Sequence, residues 1–454
     1  MEFIGREEEL NLLEEQYALD HSFVILKGRR RVGKSRLIEE FLKDKTHLYF
    51  EVNRETSSSI LSSLSDEISK ISDVPLIFNC WSDALRYYAT HTEGKKIIAI
   101  DEFPYAVSSD KNLLKEIQSL WDQHLSKMDV MLILCGSSLV SMNGLTGDYK
   151  SPLYGRNTCD LMILPLTFRQ TLRGKNYRQA VESYSITGGV PHYMSLLGDK
   201  NPIDGFISLT MKPGAPLLNE GEYLLGSEFS NLSGYNTYLK TISRGNRTME
   251  KISGAVQAPS SEILPYIRRL IDTGMVSRIL PILEKNPEKS RKGQYIISDY
   301  FLASWFRFVY PYRNLISRRE NDAAIQDLND HFIDAHVSFV FEDVCREELR
   351  RYLLSNNIYA IYGKYWGSGE IDLIALDKKN RKAYVAECKF ISKPVGKTVL
   401  NSLKTKTALI KELSDYDITY CLFSVSGFND DLEKTDDKVM LFNNGELIDS
   451  GSIE

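Results

Sequence analysis

Two glycines, a lysine and a serine behind a short apolar run constrain the fold of this chain more than any other feature. The apolar run is HSFVIL, the next segment is KGRRRVGKS, and the amphipathic stretch RLIEEFL follows at once. This order predicts a strand, a G-x4-G-K-S loop and a helix. Glycines allow the backbone to turn tightly around a phosphate, and a helix N-terminus attracts anions.

The loop predicts a nucleotide site. We expect Lys34 to reach the outer phosphates and the Ser35 hydroxyl to ligate Mg²⁺. The residues predicted to surround the nucleotide phosphates are Gly28, Arg29, Arg30, Arg31, Val32, Gly33, Lys34, Ser35 and Arg36.

Two further apolar runs end in polar residues of the kind that a nucleotide hydrolase uses. The run KIIAI ends in Asp101 and Glu102. We expect Asp101 to hold magnesium through water and Glu102 to polarise the attacking water. The run VMLILC is followed by Gly-Ser-Ser, and either Ser137 or Ser138 could sense the γ-phosphate or cap the next helix. Both alternatives stay open at this point.

Composition narrows the class of protein. A chain of 454 residues is too long for one hydrophobic core, and two to four domains are expected. No apolar run of about 18 residues suggests a membrane span. The 6 cysteines show no CxxC spacing, and the net charge of -5 argues against a wholly basic nucleic-acid coat. We expect a cytoplasmic protein.

The middle of the chain predicts a helix-turn-helix with a wing. The segments YLKTISRG, MEKISGAV and SEILPYIRRLIDTGMV have the order helix, turn, helix. VSRILPILEKNPEKSRKGQYIIS then predicts two strands joined by a basic turn. The basic residues that could contact DNA phosphates are Arg268, Arg269, Lys285, Lys289, Arg291 and Lys292. The alternative is a packing or protein-interaction module.

Near the C-terminus, GEIDLIALDKKNRKAYVAECKF predicts a hairpin that carries acids and a lysine. Residues two apart share one face of a strand, so Glu387 and Lys389 point together and Asp372 can meet them from the neighbouring strand. Two carboxylates can bind Mg²⁺ or Mn²⁺ while the lysine orients or activates a water. Glu342, on the preceding helix, is expected to add a third carboxylate. The alternative is a hairpin with solubilising charges.

The chain as a whole resembles a known family. The segments FIGREEEL, GRRRVGKS, IIAIDEFPYA, LILCGSSLVSM, SPLYGRNTCDLMILPLTFRQ and ITGGVPHYM are similar to the archaeal-type prokaryotic ATPases of the AAA+/STAND group. This resemblance implies that Arg6 and the Gly-Gly-x-Pro element, Gly188, Gly189 and Pro191, help enclose the nucleotide base. Arg156 becomes a candidate for contacting the γ-phosphate, in its own or a neighbouring subunit, or for a structural salt bridge.

The C-terminal hairpin resembles the PD-(D/E)xK nuclease superfamily, with Glu-Ile-Asp as the first motif and Glu-Cys-Lys as the second. The expected fold is α/β and multidomain. We predict an ATPase core with a helical lid over residues 1–230, a winged helix over 231–315 and a restriction-endonuclease-like domain over 316–454.

The predicted function is an ATP-binding and ATP-hydrolysing switch that is coupled to DNA binding or to metal-dependent DNA cleavage. The cofactors are ATP and Mg²⁺, with Mn²⁺ as an alternative in the nuclease-like site. ATP or ADP, DNA, a protein partner and further copies of the chain are the expected partners, and a membrane is not. The alternative is a non-cleaving STAND-type regulator. A metabolic kinase is disfavoured by the winged helix.

Overall fold

Apolar strands alternate with helices through the first part of the chain, as a parallel sheet requires. The computed structural model describes residues 3–72, 74–172, 174–433 and 438–448. The elements up to residue 172 are α1 (Glu7–Tyr17), β1 (His21–Lys27), α2 (Lys34–Leu42), β2 (His47–Glu51), α3 (Ser57–Ser69), α4 (Trp81–His91), β3 (Lys96–Asp101), α5 (Phe103–Ser109), α6 (Leu113–Gln123), a 3-10 turn (Leu125–Lys127), β4 (Val130–Gly136), α7 (Leu139–Thr146), β5 (Cys159–Met162) and α8 (Phe168–Leu172).

The chain divides into two compact units. The first comprises Met1–Gln170, Gly189–Ser195 and Gly226–Ser230, and the second comprises Thr171–Gly188, Leu196–Leu225 and Asn231–Glu454. Among the described helices, none is long and apolar enough to cross a membrane.

The first unit is built on a five-stranded sheet in the order β2-β3-β4-β1-β5, and every neighbouring pair is parallel. Successive residues of β1 enter different apolar clusters: Phe23 and Ile25 join one, and Val24 and Leu26 join the other. Both faces of the sheet are therefore covered, which explains why its strands are almost continuously apolar. The predicted α/β core with a parallel sheet is confirmed. Parallel sheets of this kind bind ligands at the carboxyl ends of their strands.

The second unit begins with helices and continues into two sheets. Its helices up to residue 317, with α10 starting in the first unit, are α9 (Tyr177–Thr187), α10 (Pro191–Leu197), α11 (Pro202–Thr210), α12 (Glu220–Gly226), α13 (Ser233–Ser243), α14 (Met249–Val256), α15 (Ser260–Asp272), α16 (Tyr300–Ser304), a π-helical turn (Trp305–Val309), a 3-10 turn (Tyr310–Tyr312) and α17 (Arg313–Ser317). Between α15 and α16, β6 (Val276–Ile279) and β7 (Gln294–Ile297) form an antiparallel ribbon.

The remaining elements form a six-stranded mixed sheet with flanking helices. They are α18 (Asp322–Phe332), a π-helical turn (Ile333–Val337), α19 (Ser338–Ser355), β8 (Ile361–Trp366), β9 (Glu370–Asp377), β10 (Lys382–Lys389), α20 (Lys397–Ala408), a 3-10 turn (Lys411–Leu413), β11 (Asp417–Ser424), α21 (Asp430–Glu433), β12 (Val439–Asn443) and β13 (Glu446–Ile448). The strand order is β13-β12-β11-β10-β9-β8, in which β10, β11 and β12 run parallel and the other neighbours are antiparallel. One apolar cluster joins β9 and β10 to α20.

Candidate functional site

The phosphate loop lies between β1 and α2, and close packing fixes its backbone. A Cβ added to Gly28 would lie 2.5 Å from the backbone oxygen of Ile163, and Gly33 has φ of 95°. Only glycine fits both constraints well. Lys34 opens α2, is buried, and donates from Nζ to the Arg29 backbone oxygen at 3.1 Å. Its ammonium therefore already lies inside the turn that would enclose a phosphate.

The Ser35 hydroxyl and the Asp101 carboxylate meet at the carboxyl edge of the sheet. Ser35 Oγ donates to Asp101 Oδ2 at 2.6 Å, and Asp101 is buried with 1% of its surface exposed. The Tyr49 hydroxyl donates to the same oxygen at 3.0 Å. Burial raises the pKa of Tyr49, and the charge of Asp101 raises it further, so the phenol stays a donor. A hydroxyl and a carboxylate are oxygen ligands of the kind that Mg²⁺ takes, so these residues fit the metal.

Glu102 follows Asp101 in the left-handed region, with φ of 51°. Its carboxylate accepts hydrogen bonds from Ser137 Oγ at 2.9 Å and from the Ser137 backbone nitrogen at 3.4 Å. Ser138 instead caps α7 by accepting from the Ser141 backbone nitrogen at 3.3 Å. The sequence did not distinguish the roles of these two serines, and the structure gives them different contacts: Ser137 donates to Glu102, and Ser138 caps α7.

Arg6 and Pro191, the last residue of the Gly-Gly-x-Pro element, line an apolar pocket beside the phosphate loop. The Arg6 guanidinium donates to the backbone oxygens of Val32 at 3.0 Å and Leu164 at 2.7 Å. Gly189 accepts at 2.9 Å from the Leu166 backbone nitrogen. The pocket has a volume of about 360 Å³, and its walls include Ile4, Val32, Leu166, Pro191 and Met194. An apolar slot of this kind next to a phosphate loop can accept a nucleotide base.

The other predicted arginines of the first unit already have contacts. Arg30 donates to the Tyr105 hydroxyl at 3.3 Å, Arg31 lies 5.8 Å from the centre of the Tyr193 ring, and Arg36 pairs with Glu39 at 3.3 Å.

Arg156 forms a two-pronged ion pair. Nε of its guanidinium donates to Asp122 Oδ1 at 2.8 Å and to Oδ2 at 3.1 Å, and Nη2 donates to Oδ2 at 2.8 Å. These hydrogen bonds raise the pKa of Arg156. The structure therefore shows a salt bridge, which was one of the alternatives expected for Arg156. A γ-phosphate contact would require Arg156 to leave Asp122.

The basic wing between β6 and β7 lies against the edge strand β8. Within the second unit, the Ile282 backbone nitrogen donates to the Lys364 oxygen at 2.8 Å, and the Trp366 indole donates to the Lys292 oxygen at 3.2 Å. The predicted DNA-contacting side chains remain exposed, namely Arg268, Arg269, Lys285, Lys289, Arg291 and Lys292. The backbone of the wing is thus used for packing while its cations face solvent.

In the predicted metal site near the C-terminus, lysines surround the carboxylates. Glu387 accepts from Lys389 Nζ at 2.7 Å and from Lys406 Nζ at 3.2 Å. Asp372 accepts from the Cys388 backbone nitrogen at 2.9 Å. Burial raises the pKa of Asp372, and the charge of Glu387 adds to this effect.

Glu342 is paired with Lys364 and does not complete a three-carboxylate site. Within the ranges that the structure describes, no group of three His, Cys, Asp or Glu side chains is arranged to hold a metal ion. The ion pair joins Lys364 Nζ to Glu342 Oε2. Burial nevertheless raises the pKa of Glu342 to about 7, against the opposing charge of Lys364. Lysines contact Glu342 and Glu387 in this arrangement, so a metal ion at these carboxylates would have to compete with the ion pairs.

Sequence reasoning missed several contacts of these sites. Tyr49, Lys364 and Lys406 had no motif to mark them, although Tyr49 lies on a strand adjacent to β3. A further missed residue is Glu228, whose carboxylate accepts from Ser138 Oγ at 3.1 Å. It lies 90 residues from Ser138 in the chain, and no local pattern connects the two.

Comparisons with known proteins agree with the geometry of the first unit. Residues 3–197 match the family described as "ATPase domain predominantly from Archaea", and residues 305–402 match one described as "Archaea bacterial proteins of unknown function". The chain is 31% identical over 431 residues to "Uncharacterized protein MJECL04" of Methanocaldococcus jannaschii. The aligned region covers 92% of this chain and 95% of that protein.

A solved structure agrees as well. The Walker-type ATPase PABY2304 of Pyrococcus abyssi superposes with a TM-score of 0.51 at 19% identity, covering 67% of this chain and 96% of that chain. At this level of identity the likeness concerns the fold.

Proposed function

Because this chain belongs to the archaeal-type P-loop ATPases, we propose that it uses ATP binding and hydrolysis as a switch that controls DNA handling by its second unit. The observation that carries the nucleotide part is the 2.6 Å hydrogen bond from Ser35 to Asp101 beside the buried Lys34. These groups come from two places in the chain, the start of α2 and the end of β3, and a P-loop hydrolase needs them together.

Each residue of the site has a proposed task. Lys34 and the loop amides bind the outer phosphates, and the apolar pocket beside Arg6 encloses the base. Ser35 and Asp101 would hold Mg²⁺, which neutralises charge on the phosphates when bound. Glu102 polarises the attacking water, and Ser137 positions the Glu102 carboxylate through the 2.9 Å hydrogen bond.

Two substitutions test this assignment. Lys34→Ala is expected to remove nucleotide binding. Glu102→Gln is expected to keep binding and to lower the hydrolysis rate by roughly a hundredfold or more, because it removes only the polarising carboxylate. Binding of a fluorescent ATP analogue and release of phosphate are the measurements. Unchanged nucleotide binding in Lys34→Ala would contradict the proposal that the phosphate loop binds the nucleotide.

The DNA part of the proposal rests on the second unit, for which we keep the division into a winged helix over 231–315 and a nuclease-like domain over 316–454, with the core and lid over 1–230. Exposed cations on the wing and on α15 favour contact with DNA phosphates. The double variant Arg291→Ala, Lys292→Ala should weaken a salt-dependent mobility shift. The matched control is Lys378→Ala, Lys379→Ala in the exposed β9–β10 turn, which should have no effect.

A non-cleaving regulator is the second candidate function. It is favoured by the two lysines on Glu387 and by the Lys364–Glu342 pair, since these contacts occupy the carboxylates that a nuclease metal would need. A cleavage assay with Mg²⁺ or Mn²⁺, with and without ATP, separates the two. Metal-dependent cutting that is lost in Lys389→Ala supports a nuclease, and intact plasmid and linear DNA under all conditions supports the regulator.

A further inference from the structure

A carboxylate from a distant segment of the chain lies at the start of α7. Glu228 Oε2 accepts from Ser138 Oγ at 3.1 Å, and Glu228 Oε1 accepts from the Leu139 backbone nitrogen at 3.2 Å. Glu228 belongs to the first unit through the short segment Gly226–Ser230, and the chain on either side of it, up to Leu225 and from Asn231, belongs to the second. Ser138 already caps α7, so Glu228 adds a negative charge that helix capping alone does not require.

This carboxylate contacts the turn that follows β4, the strand paired with the one that leads into the phosphate loop. Gly136, at the end of β4, is the register partner of Lys27, the residue before the loop glycine Gly28. Ser137 comes next and binds Glu102, and Ser138 then binds Glu228. One short turn therefore joins the residue that polarises the attacking water to Glu228.

The pKa of Glu228 responds to a charged residue of the phosphate loop. Burial raises the pKa of its carboxyl, while the hydrogen bonds from Leu139 and Ser138 and the charge of Arg29 act in the opposite direction. Arg29 is the first residue after the loop glycine. The charge of this loop arginine favours the ionised form of the Glu228 carboxyl.

We propose that Glu228 is a positioning residue that discriminates between ATP and ADP. The γ-phosphate brings negative charge to the Glu102–Ser137 side of the site, and this charge repels the Glu228 carboxylate. ATP binding is thereby coupled to release of Glu228 from Ser138 and Leu139, and ADP binding is not. The segment Gly226–Ser230 thus reports whether the γ-phosphate is present. The proposal rests on nucleotide binding at the phosphate loop.

The test measures dissociation constants of ADP and of a non-hydrolysable ATP analogue, both with Mg²⁺, by calorimetry on the full chain. Glu228→Gln keeps the shape of the side chain and removes its charge, so the preference for the triphosphate should rise roughly fivefold. Glu228→Asp keeps the charge and should retain the parent preference. Glu93→Gln, an exposed carboxylate of the same unit, is the matched control and should change neither constant.

The outcomes separate cleanly. A rise in triphosphate preference in Glu228→Gln alone supports the proposal. An equal change for both nucleotides, or the same change in Gln and Asp variants, would mean that Glu228 only stabilises α7, and the proposal would be overturned. A parent chain that binds neither nucleotide would instead contradict the nucleotide site itself. Thermal unfolding of each variant in the absence of nucleotide identifies any loss of folding.

Discussion

Asp101 in the first unit and Glu387 in the second are both buried carboxylates on sheet strands, and their surroundings are opposite. Asp101 is 1% exposed and accepts hydrogen bonds from two neutral hydroxyls, those of Ser35 and Tyr49. Glu387 is 7% exposed and accepts from two lysine ammonium groups. The hydroxyl donors bring no positive charge to Asp101, whereas Lys389 and Lys406 bring two to Glu387.

The difference teaches what each site is ready to bind. Buried charge is costly unless it is compensated, so the carboxylate at Asp101 gains from a cation supplied by a ligand. At Glu387 the protein has supplied the cations itself. A metal ion there would have to displace a lysine. We therefore expect Asp101 to have the higher affinity for a metal ion, although both sites contain buried carboxylates.

The largest effect is expected at Asp101. Asp101→Asn keeps a hydrogen-bond acceptor for Ser35 but removes the charge, and ATP hydrolysis should fall about a thousandfold. Asp372→Asn, at the other site, should leave hydrolysis unchanged. Steady-state phosphate release as a function of Mg²⁺ concentration measures both. Hydrolysis that survives in Asp101→Asn with its parent metal dependence would break the comparison, because the hydroxyl-bound carboxylate would then not be the one that needs metal.

A glycine substitution is expected to perturb the first site without changing the charge of any residue. Gly189 has φ of +69°, and an added Cβ would lie 1.9 Å from the Leu166 backbone oxygen. Gly189→Ala is therefore expected to lower the free energy of unfolding by about 3 kcal/mol and to weaken nucleotide binding. Gly94 has the same φ of +69° with open space around it, so Gly94→Ala isolates the conformational cost, about 1 kcal/mol.

Chemical denaturation followed by tryptophan fluorescence, together with nucleotide titrations, measures both glycine variants. Equal losses in the two variants would show that the contact with Leu166 contributes nothing and that backbone conformation alone matters.

The sequence predicted the first site better than the second, for physical reasons. Residues of the strand, loop and helix around Lys34 are contiguous, so their local pattern was sufficient, and the ATPase that it indicated is confirmed by the family. The partners of Glu387 were not foreseeable in the same way: Lys406 is on the next helix, 19 residues along the chain. Arg156 illustrates the limit, because the sequence left open a γ-phosphate contact and a structural salt bridge, and it did not identify Asp122 as the partner.

The pH dependence of stability tests whether the second site is compensated internally. Burial raises the pKa of Glu342 to about 7 from an ordinary value of 4.5. Between these values the folded chain holds a proton that the unfolded chain has lost, so stability falls as pH rises from about 4.5 to 7 and then levels off.

Glu342→Gln should remove this decline, which we expect to be about 3 kcal/mol, because the rise from 4.5 to about 7 already includes the opposing charge of Lys364. Urea unfolding of both proteins at pH 5 and pH 8 gives the difference. Parallel pH profiles for the two proteins would show that Lys364 keeps Glu342 charged throughout, and the ion pair would then govern the site instead of burial.

The smallest effect concerns the lysines themselves. If Lys406 takes the place of a metal at Glu387, Lys406→Gln should raise the affinity of this site for Mn²⁺ by roughly fivefold, because it removes a competing cation. Lys404 is two residues away on the same helix and lies over the Tyr420 ring, 5.8 Å from its centre, so Lys404→Gln should leave the affinity unchanged. Both variants are best made in the Asp101→Asn background, which suppresses metal binding at the first site, with free Mn²⁺ followed by electron paramagnetic resonance. An equal change of Mn²⁺ affinity in the two lysine variants would show that only the net charge of the region matters. The contrast between Asp101 and Glu387 would then reflect the number of nearby charges and not the contacts that these charges make.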